Sequence, residues 1–179
     1  MAYKKHFRPE REPSALDWGM LAAYIDGEGC ICIGLSPVRG KPNWTPHYSL
    51  TVSVSNSDPR LPIWCRQIFG GYITNKEKKT IRATSKRALF QWMCCSETAE
   101  WILRGCMPYF KIKREQAEIG LAFRETFPER KYGKGKDKKN GVPPDVLELR
   151  QLLKSQLSTM KEEISSEAYA QLDKEMARA

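Results

Sequence analysis

The sequence predicts an α+β domain built on a four-stranded antiparallel sheet with helices packed on one face. Three observations lead there. From residue 15 to residue 117 the hydrophobic periodicities run helix, strand, strand, helix, strand, strand, helix. The clearest strand alternates cleanly between apolar and uncharged polar residues, so the sheet needs helical cover on one side only. At 179 residues, with no internal repeat, the chain suits one domain plus an appendage and can bury a sizeable core.

Helix one is expected over Ala15–Asp26. Ser14 followed by Asp17 reads as a capping box, and Pro13 marks where the preceding chain stops. Gly19, Ala22 and Ala23 leave part of the helix surface almost bare, so a second backbone can approach closely. The segment Asp26-Gly27-Glu28-Gly29 then ends the helix, its glycines accepting positive φ. Glu28 is thus expected at the end of a rigid rod with little bulk around it. From there one carboxylate oxygen can reach a metal ion.

The run Cys30-Ile31-Cys32-Ile33-Gly34-Leu35 reads as a strand, with Ile31, Ile33 and Leu35 inward and Cys32 and Gly34 on the other face. A proline- and glycine-rich loop over Ser36–Pro46 carries Arg39, Lys41, Asn43 and Trp44. In the strand Ser49–Ser55, Leu50, Val52 and Val54 face the core. The opposite face carries Ser49, Thr51, Ser53 and Ser55, short uncharged groups suited to base edges in a groove. Solvent-facing serines on an ordinary antiparallel sheet explain that strand equally well.

Asp58-Pro59 opens the next helix, with Leu61, Trp64, Cys65 and Ile68 on one face and Gly70-Gly71 closing it. Tyr72-Ile73-Thr74 begins a strand leading into Lys76, Lys78, Lys79, Arg82, Lys86 and Arg87, against one acid, Glu77. A basic two-stranded ribbon of this kind fits a DNA major groove and can track phosphates. Leu89–Cys95 returns as a strand. Ser96 is expected to cap a helix through Leu103 that Gly105 ends, and Pro108 to start another over Pro108–Ala117. Arg130–Gly141 is a basic, glycine-punctuated linker that includes Lys134, Lys136, Lys138 and Lys139. After Pro143-Pro144, the residues Val146, Leu149, Leu152 or Leu153, and Leu157 recur at helical spacing. A separate last helix is expected from about Ser166. The organisation is an arm over 1–14, a main domain over 15–127, a linker over 128–144 and a helical extension over 145–179.

Composition narrows the function. The net charge is +9. Residues 145–179 hold 5 basic and 7 acidic side chains, giving −2, so residues 1–144 carry 25 against 14, or +11. A basic body with a slightly acidic tail suits a polyanionic partner, and nucleic acid is the favoured one. No apolar run approaches the roughly 18 residues needed to span a membrane. The first dozen residues have charges of both signs and no hydrophobic core, unlike a secretory signal. The six cysteines form no CxxC pair and the only histidines are His6 and His47, which argues against zinc. Reduced thiols in a cytosol-like compartment are expected.

The nonapeptide Leu21-Ala22-Ala23-Tyr24-Ile25-Asp26-Gly27-Glu28-Gly29 resembles the LAGLIDADG signature of homing endonucleases, with alanine for the first glycine and glutamate for the second aspartate. The resemblance extends over roughly Ala15–Phe127, where the element order matches that fold. The segment Pro108-Tyr109-Phe110-Lys111-Ile112-Lys113, followed by Gln116-Ala117, looks like a helix of the single-motif, homodimeric branch. The likeness implies that Glu28, with Gly27 beside it, holds magnesium or another divalent cation. It implies that Asp26 supports the helix end and that Lys113 projects toward the active site. It places Asn56 where a water-organising glutamine usually stands, one methylene shorter, and Arg60 where a basic residue usually stands, here bracketed by Pro59 and Pro62.

One signature per chain means one Glu28 per chain. Cutting two strands then needs a homodimer along paired helices, with Gly19, Ala22, Ala23 and Asp26 at the interface. The implied function is metal-dependent double-strand cleavage of a long pseudo-palindromic DNA site, as in intron homing. Implied DNA contacts are Cys32, Gly34, Arg39, Lys41, Asn43, Trp44, Ser49, Thr51, Ser53, Ser55, Thr74, Lys76, Lys78, Arg82, Lys86, Lys134, Lys136, Lys138 and Lys139. Two alternatives of the same fold stay open, a maturase that binds intron RNA and a DNA-binding protein that does not cut. The expected setting is bacterial or phage-host cytoplasm or nucleoid, or an organelle matrix, without membrane or secretion.

Overall fold

A computed structural model of the chain describes residues 11–36, 47–76, 89–127 and 142–176. The expected contacts Arg39, Lys41, Asn43, Trp44, Lys78, Arg82, Lys86, Lys134, Lys136, Lys138 and Lys139 lie outside the described residues. The elements are α1 (Ala15–Glu28), β1 (Gly29–Ser36), β2 (His47–Asn56), α2 (Arg60–Phe69), β3 (Tyr72–Lys76), β4 (Leu89–Cys95), α3 (Ser96–Cys106), α4 (Arg114–Glu125) and α5 (Pro144–Met176). The four strands form one antiparallel sheet in the order β1-β2-β4-β3. The α+β class and the helix-strand alternation are as the sequence predicts.

Alternation puts Ile31, Ile33, Leu50, Val52, Val54, Trp92 and Cys94 on the inner face of the sheet, all buried. Leu21 and Ile25 of α1, Cys65 and Phe69 of α2, Ile102 and Leu103 of α3, and Ala117 and Phe123 of α4 close over them as one core. Burying side chains of this size removes them from water at roughly 1.5–3 kcal/mol each, which fixes the helices to that face. Among the described residues no helix covers the outer face. Leu35 departs from the expectation: β1 runs past the core there, and its side chain is 42% exposed.

Close approach, not turn geometry, explains two glycines. Gly29 has φ −95° and ψ 169°, extended backbone rather than the positive φ expected. A Cβ there would lie 2.5 Å from Ile25 Cα, so glycine lets β1 leave directly from the helix end. Gly105 does not stop α3 but sits inside it, under the Trp18 ring, which a Cβ would meet at 2.5 Å. Ser96 is the first residue of α3, at φ 55°, while Cys95 occupies the cap position without a side-chain cap bond.

Two helical boundaries also differ. The segment expected to start a helix at Pro108 is a turn, and α4 begins only at Arg114. The C-terminal region is one continuous helix of 33 residues, about 50 Å long, rather than two. Ser165-Ser166 resembles a helix start, yet no glycine or proline interrupts the run and serine is tolerated inside helices. Its inward face keeps Leu157, and Leu153 of the expected pair, but differs from the expected stripe in that Leu149 is exposed while Arg150 is buried. Arg150 donates to Thr126 Oγ1 and O, both at 2.9 Å, and lies 3.8 Å over the Phe127 ring. Tyr48 donates to Gln151 Oε1 at 2.9 Å. Through these contacts α5 is laid from the end of α4 across to the β1 edge.

Candidate active site

The site begins at the cap of α1. Ser14 Oγ accepts from the Asp17 N–H, and Asp17 accepts from the Ser14 N–H at 2.7 Å, completing the capping box. Arg11 closes a two-pronged pair with the same carboxylate at 2.7 and 2.8 Å. The guanidinium first, then the Ser14 hydroxyl, holds the Asp17 carboxyl far below the usual carboxylate range. The start of the rod is thereby fixed.

The other end is held by a clasp. The Asp26 carboxylate, buried, accepts the successive N–H groups of Lys111, Ile112 and Lys113 at 2.8, 3.3 and 2.9 Å. Three consecutive backbone donors around one anion form a nest, and they explain why this segment turns instead of continuing as helix. The last turn of α1 has no basic residue of its own. Lys113 brings one from the facing turn, its ammonium donating to Ile25 O at 2.8 Å and to Asp26 O. A cation there complements the negative end of the helix dipole. Burial, the largest influence, pushes the Lys113 ammonium below its usual value. Asp26 and then Cys30 oppose that shift, Lys161 adds to it, and Glu28 weakly opposes it.

Glu28 follows as the final helical residue and is exposed, as is Gly27. A Cβ on Gly27 would meet nothing within 4 Å, so the space beside Glu28 is open. Among the described residues no three His, Cys, Asp or Glu side chains converge. One exposed carboxylate beside backbone carbonyls is a hard-oxygen donor set. It fits magnesium in the way that ion is commonly held, by one or two carboxylates with the remaining positions left to phosphate and water. The fit is to a site shared with substrate, not to a closed cage.

The register carries β2 to the same place. Gly29 pairs with Val54, so β2 leaves the sheet through Asn56 at the end where α1 enters β1. Asn56 Oδ1 there accepts the Asp58 N–H at 2.8 Å and shapes the turn into α2. Arg60 stands farther out. Its side chain is 89% exposed and is held by Asp58 through two Nε contacts of 2.9 and 3.0 Å. That guanidinium lowers the Asp58 carboxyl to about 2. Asp58 was not signalled by the sequence, since its Asp-Pro context reads as a helix start.

The outer face gathers one row from each strand. Cys32 and Gly34 pair with Thr51 and Ser49, Ser55 with Gln91, Thr74 with Gln91, and Ser53 with Met93. Lys76 closes β3 opposite Leu89. The expected contacts Cys32, Gly34, Ser49, Thr51, Ser55 and Thr74 therefore share one face. Ser53 shares it too, but it is buried and accepts from Gln91 Nε2 at 3.1 Å, which takes it out of direct reach of a partner. Gln91, Met93, Cys95 and Tyr72 join the same rows. Sequence reading passed them over because methionine, cysteine and tyrosine on a strand look like core.

Two expected interface residues need correction. Ala22 is fully buried against the sheet, and Asp26 is committed to its nest within the subunit. The exposed stripe of α1 is instead Leu16, Met20, Ala23 and Gly27, spaced at helical intervals. Gly19 is half-buried beside Tyr109, whose ring a Cβ would approach at 3.6 Å.

No protein-family model and no curated protein matches the chain. Solved structures do. The homing endonuclease I-CvuI, in complex with its target in the presence of calcium, matches with a TM-score of 0.61 at 18% identity, over 81% of this chain and 82% of that one. The homing endonuclease I-TnaI matches with a TM-score of 0.53 at 13% identity, over 86% of this chain and 99% of that one. The LAGLIDADG homing endonuclease I-SmaMI, bound to cleaved DNA, matches with a TM-score of 0.56 at 17% identity, over 82% of this chain but only 46% of that one. With the nine-residue signature ending at Gly29, the helix that carries it and the four-stranded sheet beside it, the chain has the LAGLIDADG homing endonuclease fold.

Proposed function

We propose that this protein is a site-specific DNA endonuclease that cuts both strands of a pseudo-palindromic site as a homodimer, using a divalent cation. The observation that carries the reading is the placement of Glu28. It is an exposed carboxylate at the end of a clasped helix, at the margin of a polar sheet face that no described helix covers. The solved relatives add support, since I-CvuI was crystallised with its DNA target and I-SmaMI with cleaved DNA.

Each part of the chain then has a task. The outer face lies along duplex DNA and reads it through hydroxyl, thiol and amide groups, and the basic stretch that follows Thr74 in the sequence adds charge for the phosphates. Lys113 and, at the rim, Arg60 place positive charge toward the phosphate being cut. Asn56 adds an amide at the same end of the sheet and orients water there. Glu28 holds the cation, whose chemistry when bound is Lewis-acid activation of the phosphodiester.

Pairing follows from stoichiometry. One chain offers one Glu28, and two strands need two. The stripe Leu16, Met20, Ala23 and Gly27 leaves apolar and small groups in water beside each Glu28, with Tyr109 and Ile112 also exposed. A two-fold axis along this stripe buries them and brings two sites together. The coverage of I-SmaMI agrees, because its chain has the length for two such units where this chain has one.

The test is cleavage selection on a randomised palindromic duplex library, with magnesium and with EDTA, and with RNA as a separate binding arm. Magnesium-dependent double-strand cuts at a defined sequence are expected. Glu28→Gln is expected to slow cutting by on the order of a thousandfold while leaving DNA binding intact. Binding lost together with cutting would show that Glu28 holds the fold rather than the cation. RNA binding without DNA cutting would overturn the endonuclease reading.

A further inference from the structure

Nothing in the sequence of the C-terminal helix points to active-site chemistry, yet the structure brings one of its residues to the start of β1, just after Glu28 in the chain. The Lys161 ammonium donates to Ile31 O at 2.6 Å and reaches Cys30 Sγ at 3.5 Å. Lys113 sits on Ile25 O and Asp26 O, the carbonyls just before Glu28, and Lys161 on a carbonyl just after it. The two lysines hold backbone carbonyls on either side of Glu28 in the chain, and Lys161, Glu28 and Cys30 all act electrostatically on Lys113, so they share one neighbourhood.

We propose that Lys161 is a further basic residue of the active site, in addition to Lys113 and Arg60, carried there by the C-terminal helix to contact a phosphate of the cut strand. The inference rests on the DNA-endonuclease reading above. Its geometric support is the way α5 is anchored. Arg150 and Leu157 are buried, and Lys161 follows them at offsets of eleven and four residues on the same helical face, so its position is set by packing. β1 is an edge strand whose outward carbonyls need cover. A lysine serving only as an edge cover could sit anywhere along β1, whereas this one sits at the end adjoining Glu28. Lysine is a compact charge on a four-carbon stem, so its head can move from carbonyl to phosphate without moving the helix. The helical extension is on this account part of the site rather than packing alone.

The experiment uses the full chain and the duplex recovered by the cleavage selection, with calcium replacing magnesium. Affinity is measured against salt for the wild type, Lys161→Met and Lys161→Arg. One phosphate contact per subunit contributes about 0.9 to the slope of log affinity against log salt. Lys161→Met should flatten the slope by that amount and weaken binding about eightfold at 0.1 M salt for each subunit. Lys161→Arg should restore both. In the unsubstituted protein, DNA should also protect Lys161 from amine acetylation, a readout that needs no variant to fold. An unchanged slope in Lys161→Met, or acetylation of Lys161 unaffected by DNA, overturns the proposal while leaving the endonuclease reading standing. A wild type that binds no duplex overturns both.

Discussion

Asp17 and Asp26 lie near opposite ends of α1, both buried, and each is satisfied by different means. Asp17 gains Arg11 and the Ser14 cap, contacts within six residues that a reader of the sequence can anticipate in part. Because its carboxyl is held below the ordinary 3.8, the folded state favours the ionised form. The resulting stability is fully present above the unfolded value and is lost as pH falls through the folded one. Asp17→Asn should therefore cost about 1 kcal/mol at neutral pH, the size of a lost cap with a half-exposed ion pair. The gap between variant and wild type should close as urea titrations are carried below pH 3.8. A gap that persists in strong acid would assign the loss to packing. Asp26 is different in kind, since its three donors lie 85 to 87 residues away. No local pattern announces them, and for that reason both the turn before α4 and the burial of Asp26 escaped the sequence reading.

Among the elements, α1 is fixed by what it touches on each side. Its Trp18 packs edge-to-face with Trp101 at 4.9 Å and tilted against Phe69 at 5.0 Å, with the ring laid over Gly105. Two effects oppose each other for Gly105→Ala. Helix propensity gains just under 1 kcal/mol, while the Cβ must displace an aromatic ring from a packed site at a cost of roughly 1–3 kcal/mol. Overpacking wins, so a net loss of about 1 kcal/mol is expected, seen as a fall of about 2–4 °C in thermal midpoint. A variant as stable as the wild type would mean that Trp18 repacks without cost. The strands were the most legible elements because period two survives burial of one face. Helix ends were the least, since Gly105 reads as a stop and is a contact, and Ser166 reads as a start and is interior.

For the molecule as a whole, the exposed stripe of α1 decides what one chain can do. Ala23 is its small central residue, exposed in the subunit and uninvolved in the core. Ala23→Arg places a charge and a long side chain where two helices are proposed to meet, and leaves the subunit fold untouched. The expected outcome is a folded monomer in sedimentation, with double-strand cutting lost at protein concentrations where the wild type cuts. A variant that remains dimeric would move the two-fold axis to another surface. Ala22→Arg gives no such test, because that residue is inside the core and the subunit itself would suffer.

Alone, the sequence settled the class, the strand order along the chain, the inward face of each clear strand and the glutamate at the end of the signature helix. These depend on periodicity and on short-range caps, which act between neighbours in the chain. Tertiary structure decided which face of α1 is free, why the 108–113 segment turns, that Ser53 is closed off, and that Lys161, 130 residues after Ile31, returns to its carbonyl at the start of β1. Each of those outcomes is set by partners brought together only when the sheet and helices pack. An anion buried near three backbone donors, or an edge carbonyl near a passing helix, takes the partner that space provides and not the one that order in the chain suggests.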